Sequence, residues 1–197
     1  WNTEGIKSLS GGMAKVSSEA AFDFSQTITL PAGQYKMTAK AVYRYAGDEQ
    51  GEYDAIKAGT ETHLVKLYAE VVGSETFETN VQNRWEGASD VNFFNVPKKF
   101  SIVNGKFVPN SSDAVQAWFN EGKYVNELVF VVPKDGQVKI GITRTGGIDG
   151  DYTNIGAWTL TRMDYTDAIV NANLSTGDAW NTEGIKSLSG GMAKVSS

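Results

Sequence analysis

The residues that could carry catalysis in this chain are few. His63 is the one histidine and there is no cysteine, so a cysteine nucleophile and a zinc site built from Cys and His are excluded. A Ser-His-Asp triad would depend on His63, which opens an apolar stretch, and no Gly-x-Ser-x-Gly motif supplies a nucleophile. The sequence predicts that the protein is not an enzyme.

Carboxylates occur in two clusters, at 48–54 and at 149–154. In the second cluster, Asp149, Asp151 and Asn154 offer hard oxygen atoms on a glycine-containing turn, which suits a calcium ion. The segment lacks the terminal Glu of a twelve-residue calcium loop, and solvated turn residues are the alternative interpretation. Apart from a structural calcium ion, no cofactor is predicted.

Aromatic residues beside polar ones point to carbohydrate. Sugars stack their C–H faces on Trp and Tyr, while Asn, Asp and Arg bind the hydroxyls. The first candidate is Trp85, in the polar segment QNRWEG. The candidate ligand-binding residues are Asn83, Arg84, Trp85, Tyr152, Tyr43 and Arg44. Core packing is the alternative role for each of these aromatic side chains.

The composition is that of an ordinary globular domain, with 41% hydrophobic and 21% charged residues. A net charge of −5 and the absence of a basic run disfavour nucleic acid and anionic membrane surfaces as partners. No apolar stretch is long enough to span a membrane, so membrane insertion is not expected.

Apolar and polar residues alternate along most of the chain, which is typical of strands with one buried face. Strands are predicted over 22–30, 35–45, 63–72, 75–82, 128–132, 138–142 and 157–165. A Pro-to-Gly turn at 31–33 separates the first two, and another at 133–136 separates the fifth and sixth. Each of these pairs is therefore predicted to form a hairpin.

One short helix is predicted, with Asp113 as its cap, an apolar stripe that ends at Phe119, and Gly122 as its stop. Loops are predicted at 47–62, 83–110 and 144–154. Short strands with glycine-rich turns and a single helix predict an all-β protein, a jelly-roll β-sandwich.

The first eighteen residues, WNTEGIKSLSGGMAKVSS, recur letter for letter at 180–197. The copies are one domain length apart, which fits a tandem array of near-identical repeats, with a deliberate duplication as the alternative. One fold has one slot for such a segment. The second copy is therefore predicted to pair with a neighbouring chain by strand exchange, or to displace the first copy within its own chain.

The duplication also sets the predicted organisation of the chain. The body of the module is predicted over 1–166. The opening segment of the module, or of the next repeat, is predicted over 167–197. The predicted assembly residues are Trp1, Ile6, Met13 and Val16, with their copies Trp180, Ile185, Met192 and Val195.

The order of these features resembles the galactose-binding-like, carbohydrate-binding-module-like β-sandwich repeat modules of Bacteroidetes surface and secreted proteins. The motifs that carry the resemblance are LPAGQYKMTAKAVYR, LYA at 67–69, the helix before Tyr124-Val125-Asn126, VPKDGQVKIGI and AWTLTRMDY. The segment 171–180 looks like the family's opening Asn-x-x-Phe-x-x-Gly-x-x-Trp, with Leu174 in place of the aromatic residue. These are motifs of the fold, so the resemblance implies the architecture more strongly than a ligand.

The residues and the resemblance together predict a non-catalytic bacterial module, extracellular or at the cell surface, that binds a glycan and acts as a tandem-repeat unit. The alternative is structural, a self-assembling fibre or stalk subunit joined head to tail through the duplicated segment. The expected partners are a glycan and other copies of the chain.

Overall fold

The computed structural model describes residues 1–6, 8–10, 12–17, 21–45, 48–90, 100–147, 150–163, 187–189 and 192–194. The chain divides into two compact units, Trp1–Thr161 and Arg162–Ser197. In the described part of the chain, no helix has the length and apolar character needed to cross a membrane.

The secondary structure is dominated by strands. They are β1 Asn2–Glu4, β2 Ser8–Ser10, β3 Met13–Ser17, β4 Phe22–Leu30, β5 Gly33–Arg44, β6 Val65–Val71, β7 Thr76–Asn80, β8 Phe100–Val103, β9 Lys106–Pro109, β10 Val125–Val132, β11 Gly136–Arg144, β12 Tyr152–Met163, β13 Ser187–Ser189 and β14 Met192–Lys194. The helices are α1 Glu49–Ala58 and α2 Ser112–Asn120.

Two five-stranded sheets form the first unit. One has the order β1-β4-β11-β6-β7 and the other the order β10-β5-β12-β3-β2. Their inner faces meet in one apolar core, to which β5 contributes Met37, the first sheet contributes Leu67 and Ile142, and β10 contributes Phe130. The predicted fold class, an all-β sandwich of the jelly-roll type, is confirmed.

The two predicted hairpins are wrong, although their strands are correctly placed. β4 pairs with β11 and β5 pairs with β10, so each Pro-to-Gly turn carries the chain from one sheet to the other. The two turns lie side by side, and the Ala32 N–H donates to Asp135 Oδ1 at 2.7 Å. Alternation specifies a strand with one buried face, but the inner face of either sheet satisfies that pattern.

Helix α2 confirms the predicted helix, with a different cap. Ser111 Oγ accepts a hydrogen bond from the Ala114 N–H at 3.2 Å, and Asp113 lies in the first turn instead of at the cap. After the helix, Gly122 has φ +76°, a left-handed conformation that glycine adopts without a steric penalty.

Helix α1 lies where the sequence predicted only a loop. Asp48 caps its start and Gly59, with φ +68°, ends it. The apolar periodicity of this segment is weak because its one fully buried residue is a carboxylate, Glu52.

The sandwich has unequal ends. At one end the sheets are joined by short turns, such as 31–32 and 133–135. The other end carries α1, the 81–90 turn, the β8–β9 hairpin, α2, and residues 145–147 and 150–151 between β11 and β12. Long connections on a rigid strand scaffold are where binding residues are usually carried, so this end holds most of the candidate site.

The first copy of the duplicated segment bridges both sheets of its own chain. β1 pairs with β4, Asn2 opposite Ser25, and β3 pairs with β12, Ala14 opposite Ile155. The alternative in which the first copy is displaced is therefore wrong. In the second unit β13 pairs with β14 in the same register that joins β2 to β3. Of the second copy's predicted assembly residues, Trp180, Ile185 and Val195 lie outside the described residues.

Candidate functional site

A buried ion pair organises the loop end of the sandwich. Arg84 and Glu52 are both fully buried, and Arg84 Nε donates to Glu52 Oε2 at 2.5 Å. The Tyr45 N–H donates to the other oxygen of the same carboxylate at 2.7 Å. Burial raises the pKa of Glu52, and the Arg84 guanidinium and the Tyr45 N–H oppose that rise. Arg84, a predicted ligand-binding residue, therefore lies inside the protein with its guanidinium committed to Glu52.

Asn83 shapes the turn that follows. Its Oδ1 accepts hydrogen bonds from the N–H groups of Trp85 at 2.8 Å and Glu86 at 3.2 Å. Its Nδ2 donates to Glu61 Oε2 at 2.9 Å. Burial is the main reason that the pKa of the Glu61 carboxyl is raised. Asn83 is 3% exposed, and these bonds hold the Trp85 turn in place.

Trp85 lies at the wall of a pocket. The indole is 9% exposed and meets the ring of Tyr53, on α1, edge to face at a centroid distance of 5.0 Å. The pocket beside these rings has a volume of about 400 Å³. It is lined by Tyr53, Ile56, Lys57, Trp85, Glu86, Ala88 and Lys106. We call it the Tyr53–Trp85 pocket. Its lining is aromatic and aliphatic, apart from charged groups on side chains that reach water.

Tyr43 and Tyr152 are buried, at 1% and 5% exposure. The Tyr43 hydroxyl donates to the Thr62 carbonyl, and burial raises its pKa above the ordinary range. The Tyr152 hydroxyl donates to the Pro109 carbonyl at 2.9 Å, and burial raises its pKa to about 12. Both phenols therefore stay protonated at neutral pH. Through its hydroxyl, each tyrosine links its own strand to another segment of the chain.

Four of the predicted residues line a second, smaller pocket: Arg44, Asp151, Tyr152 and Asn154. It has a volume of about 150 Å³. Its lining residues are Lys15, Ser17, Arg44, Asn110, Ser111, Ser112, Asp151, Tyr152 and Asn154. We call it the Lys15–Asn154 pocket. Arg44 crosses its wall, with its guanidinium 4.6 Å from the centre of the Tyr152 ring and Nε donating to the Gly150 carbonyl at 2.7 Å.

Two of the three predicted calcium ligands, Asp151 and Asn154, lie in the described part of this region. Asp151 Oδ1 lies 2.8 Å from Arg144 Nη1, both side chains being at most 1% exposed, so its charge is balanced by a guanidinium. Asn154 lines the small pocket, and Asp149 lies outside the described residues. The described residues contain no group of three or more His, Cys, Asp or Glu side chains placed to hold a metal. Calcium binding stays a prediction.

A third concave surface lies beside the first copy of the duplicated segment. The Trp1 indole, 53% exposed, stacks on Phe24 at 4.7 Å and meets Trp158 at 5.3 Å. With Leu9, Met13 and neighbouring backbone these rings line a groove of about 490 Å³. We call it the Trp1 groove. Trp158 is half-buried at the edge of the core.

Sequence reasoning missed Tyr53 and Lys57 because it missed α1. The cap Asp48 and the stop Gly59 were readable signals of that helix. With the helix assigned, Tyr53 and Lys57 lie four residues apart and share a helix face.

The comparisons with known proteins add little to this geometry. No family model matches the chain, and no curated protein matches it either. Among solved structures the chain is similar to TmCBM61 in complex with β-1,4-galactotriose. The TM-score is 0.35 and the identity 15%, over 77% of this chain and 69% of that one.

Proposed function

We propose that this chain is a non-catalytic glycan-binding module and that the Tyr53–Trp85 pocket is its binding site. The observation that carries the proposal is the pair of rings at the pocket wall. Tyr53 is half-buried and Trp85 offers its remaining exposed surface beside it, so a sugar ring has an apolar surface on which to stack.

The surroundings of the rings fit the same ligand. Lys57 and Glu86 are exposed residues on the pocket wall, where an ammonium can donate to sugar hydroxyls and a carboxylate can accept from them. The rings are held from behind, because Arg84 is locked to Glu52 and Asn83 fixes the turn. A rigid aromatic wall loses little conformational entropy when a ligand binds.

Replacing Tyr53 with alanine is expected to weaken binding to a soluble polysaccharide by about tenfold or more, since aromatic anchors dominate binding energies. The measurement is affinity electrophoresis of the full chain in gels that contain galactan, xyloglucan or pectin. Trp1→Ala is the matched control, because it removes an exposed aromatic ring from the Trp1 groove. Loss of binding in Trp1→Ala with full binding in Tyr53→Ala would overturn the assignment of the pocket.

We propose that the module belongs to a bacterial tandem-repeat protein that is secreted or lies at the cell surface. The letter-for-letter duplication supports the repeat, because successive near-identical modules would each carry the same segment. The same 18 residues support a second candidate function, in which the module is a fibre or stalk subunit.

The structural candidate rests on the edges that the first copy occupies. β1 lies at the edge of one sheet, and β2 at the edge of the other, joined through β3 to β12. The second copy has the same sequence, so it matches the same edges of another chain, and exchange between chains would link them head to tail.

If chains are linked in this way, the full chain is expected to form oligomers that grow with concentration, and a version that ends at Ala179 is expected to stay monomeric. Light scattering of both proteins over a hundredfold range of concentration measures this directly. Equal monomeric masses for the two proteins would contradict head-to-tail linkage through the duplicated segment. The glycan-binding proposal would be unaffected.

A further inference from the structure

One wall of the Lys15–Asn154 pocket is formed by side chains of the paired strands β3 and β12. Lys15 lies opposite Asn154, and Ser17 opposite Tyr152, in the pairing of β3 with β12. Cross-strand partners share a face of the sheet. Ala14 and Val16, between the β3 residues, belong to the core, so Lys15, Ser17, Tyr152 and Asn154 all lie on the outer face.

The start of helix α2 forms another part of the pocket lining. The helix has nine residues, and Ser111 and Ser112 at its start line the pocket. Tyr152 is part of the apolar cluster under the helix, together with Trp118 and Phe119. The start of a helix carries a partial positive charge and backbone N–H groups that favour negative ligands.

An unpartnered donor lies in the same wall. Asn154 is fully buried. Its Oδ1 accepts from Ser112 Oγ at 3.1 Å, whereas its Nδ2 has no hydrogen-bond partner among the described residues. A buried amide N–H₂ left without an acceptor costs free energy, so an acceptor brought by a ligand would be stabilised there.

The charged side chains that line the pocket are positive in sum. Lys15 and Arg44 line it, and the one carboxylate in the lining, Asp151, is balanced by Arg144 at 2.8 Å. Asp113, in the first turn of α2, is exposed and outside the lining. Lys15, Arg44 and Asn154 therefore line the same small volume, and a cation would meet the two basic groups.

We propose that the Lys15–Asn154 pocket binds one compact anionic group, a carboxylate or a sulfate, carried by an acidic sugar. The volume of about 150 Å³ accommodates such a group and excludes a whole disaccharide. The identity of the carrier as a sugar rests on the proposed function; the anion site itself does not. Asn110 links the two sites, since its Oδ1 accepts from both Arg44 Nη1 at 2.6 Å and Arg84 Nη1 at 3.1 Å.

The test is isothermal titration of the full chain with sodium glucuronate, with glucose and with sodium sulfate. Glucuronate is expected to bind and glucose not to. Lys15→Gln is expected to weaken glucuronate binding by about tenfold, the loss of one charge-assisted hydrogen bond. Asn154→Asp keeps the shape and the Ser112 bond but puts an oxygen in place of Nδ2, and it is expected to abolish binding.

Lys15 is partly exposed, so Lys15→Gln tests the site even if the buried Asn154→Asp does not fold. Equal glucuronate affinity for the native chain and Lys15→Gln, or no glucuronate binding by the native chain, would overturn the anion site. Sulfate binding as tight as glucuronate binding would overturn the sugar as its carrier. Polysaccharide binding by the native chain is scored in the separate electrophoresis, so failure there is failure of the proposed function alone.

Discussion

Replacing Glu52 with alanine is expected to lower the free energy of unfolding by about 3–5 kcal/mol. The reason is the partner that remains. Arg84 is fully buried, and without the carboxylate its guanidinium would be left charged and uncompensated in the interior. The Tyr45 N–H would lose its acceptor as well. Urea denaturation followed by tryptophan fluorescence measures the change.

Asp54 is the matched control for this experiment. It lies two residues further along the same helix, is exposed, and accepts a surface hydrogen bond from Gln50 Nε2 at 3.0 Å. Asp54→Ala is expected to change stability by no more than about 0.5 kcal/mol. The double variant Glu52→Leu with Arg84→Met is expected to recover part of the lost stability, since it leaves no buried charge. A Glu52→Ala variant as stable as Asp54→Ala would contradict the account of this network.

Trp118→Ala is expected to cost about 3–5 kcal/mol, the range for removing a large buried aromatic side chain. Trp118 is fully buried in the cluster that joins α2 to Tyr124 and Tyr152. Its Nε1 also donates to the Gly87 carbonyl at 3.0 Å, in the turn that carries Trp85. The variant should therefore loosen that turn as well as the helix, which amide hydrogen exchange at Ala88 would report, because the Ala88 N–H donates to the Trp85 carbonyl.

Trp118→Phe separates packing from the hydrogen bond. It keeps most of the buried ring and loses the N–H, so the expected cost is about 1–3 kcal/mol, the penalty for an unsatisfied buried carbonyl. If Trp118→Ala cost no more than Trp118→Phe, the buried ring would contribute little to stability, which would contradict its role in packing α2.

The strands were predictable from the sequence and their pairing was not. Alternation placed β4, β5 and β11 to within a few residues because a strand with one buried face repeats every two residues. Alternation could not distinguish a hairpin within one sheet from a turn that crosses to the other sheet. The reason is that β4 and β5 bury the same kind of face against one shared core. The choice depends on tertiary packing between segments about a hundred residues apart in the chain, which local pattern does not contain.

The candidate site was predictable in part. Trp85 was singled out from its polar neighbours, and those neighbours, Asn83 and Arg84, turn out to be buried and to hold the turn in place. A polar residue next to a tryptophan in sequence can face water or an ion-pair partner, and the partner of Arg84, Glu52, lies in a helix that sequence reasoning missed. The second ring of the pocket, Tyr53, was missed with that helix.

The most direct test of the central claim is a crystal structure of the full chain with an oligosaccharide from the polysaccharide that retards it most in affinity electrophoresis. We expect a sugar ring against Tyr53, beside Trp85, with a hydroxyl within hydrogen-bond distance of Lys57 or Lys106. A sugar bound in the Trp1 groove with the Tyr53–Trp85 pocket empty would contradict the claim, as would a chain that no polysaccharide retards.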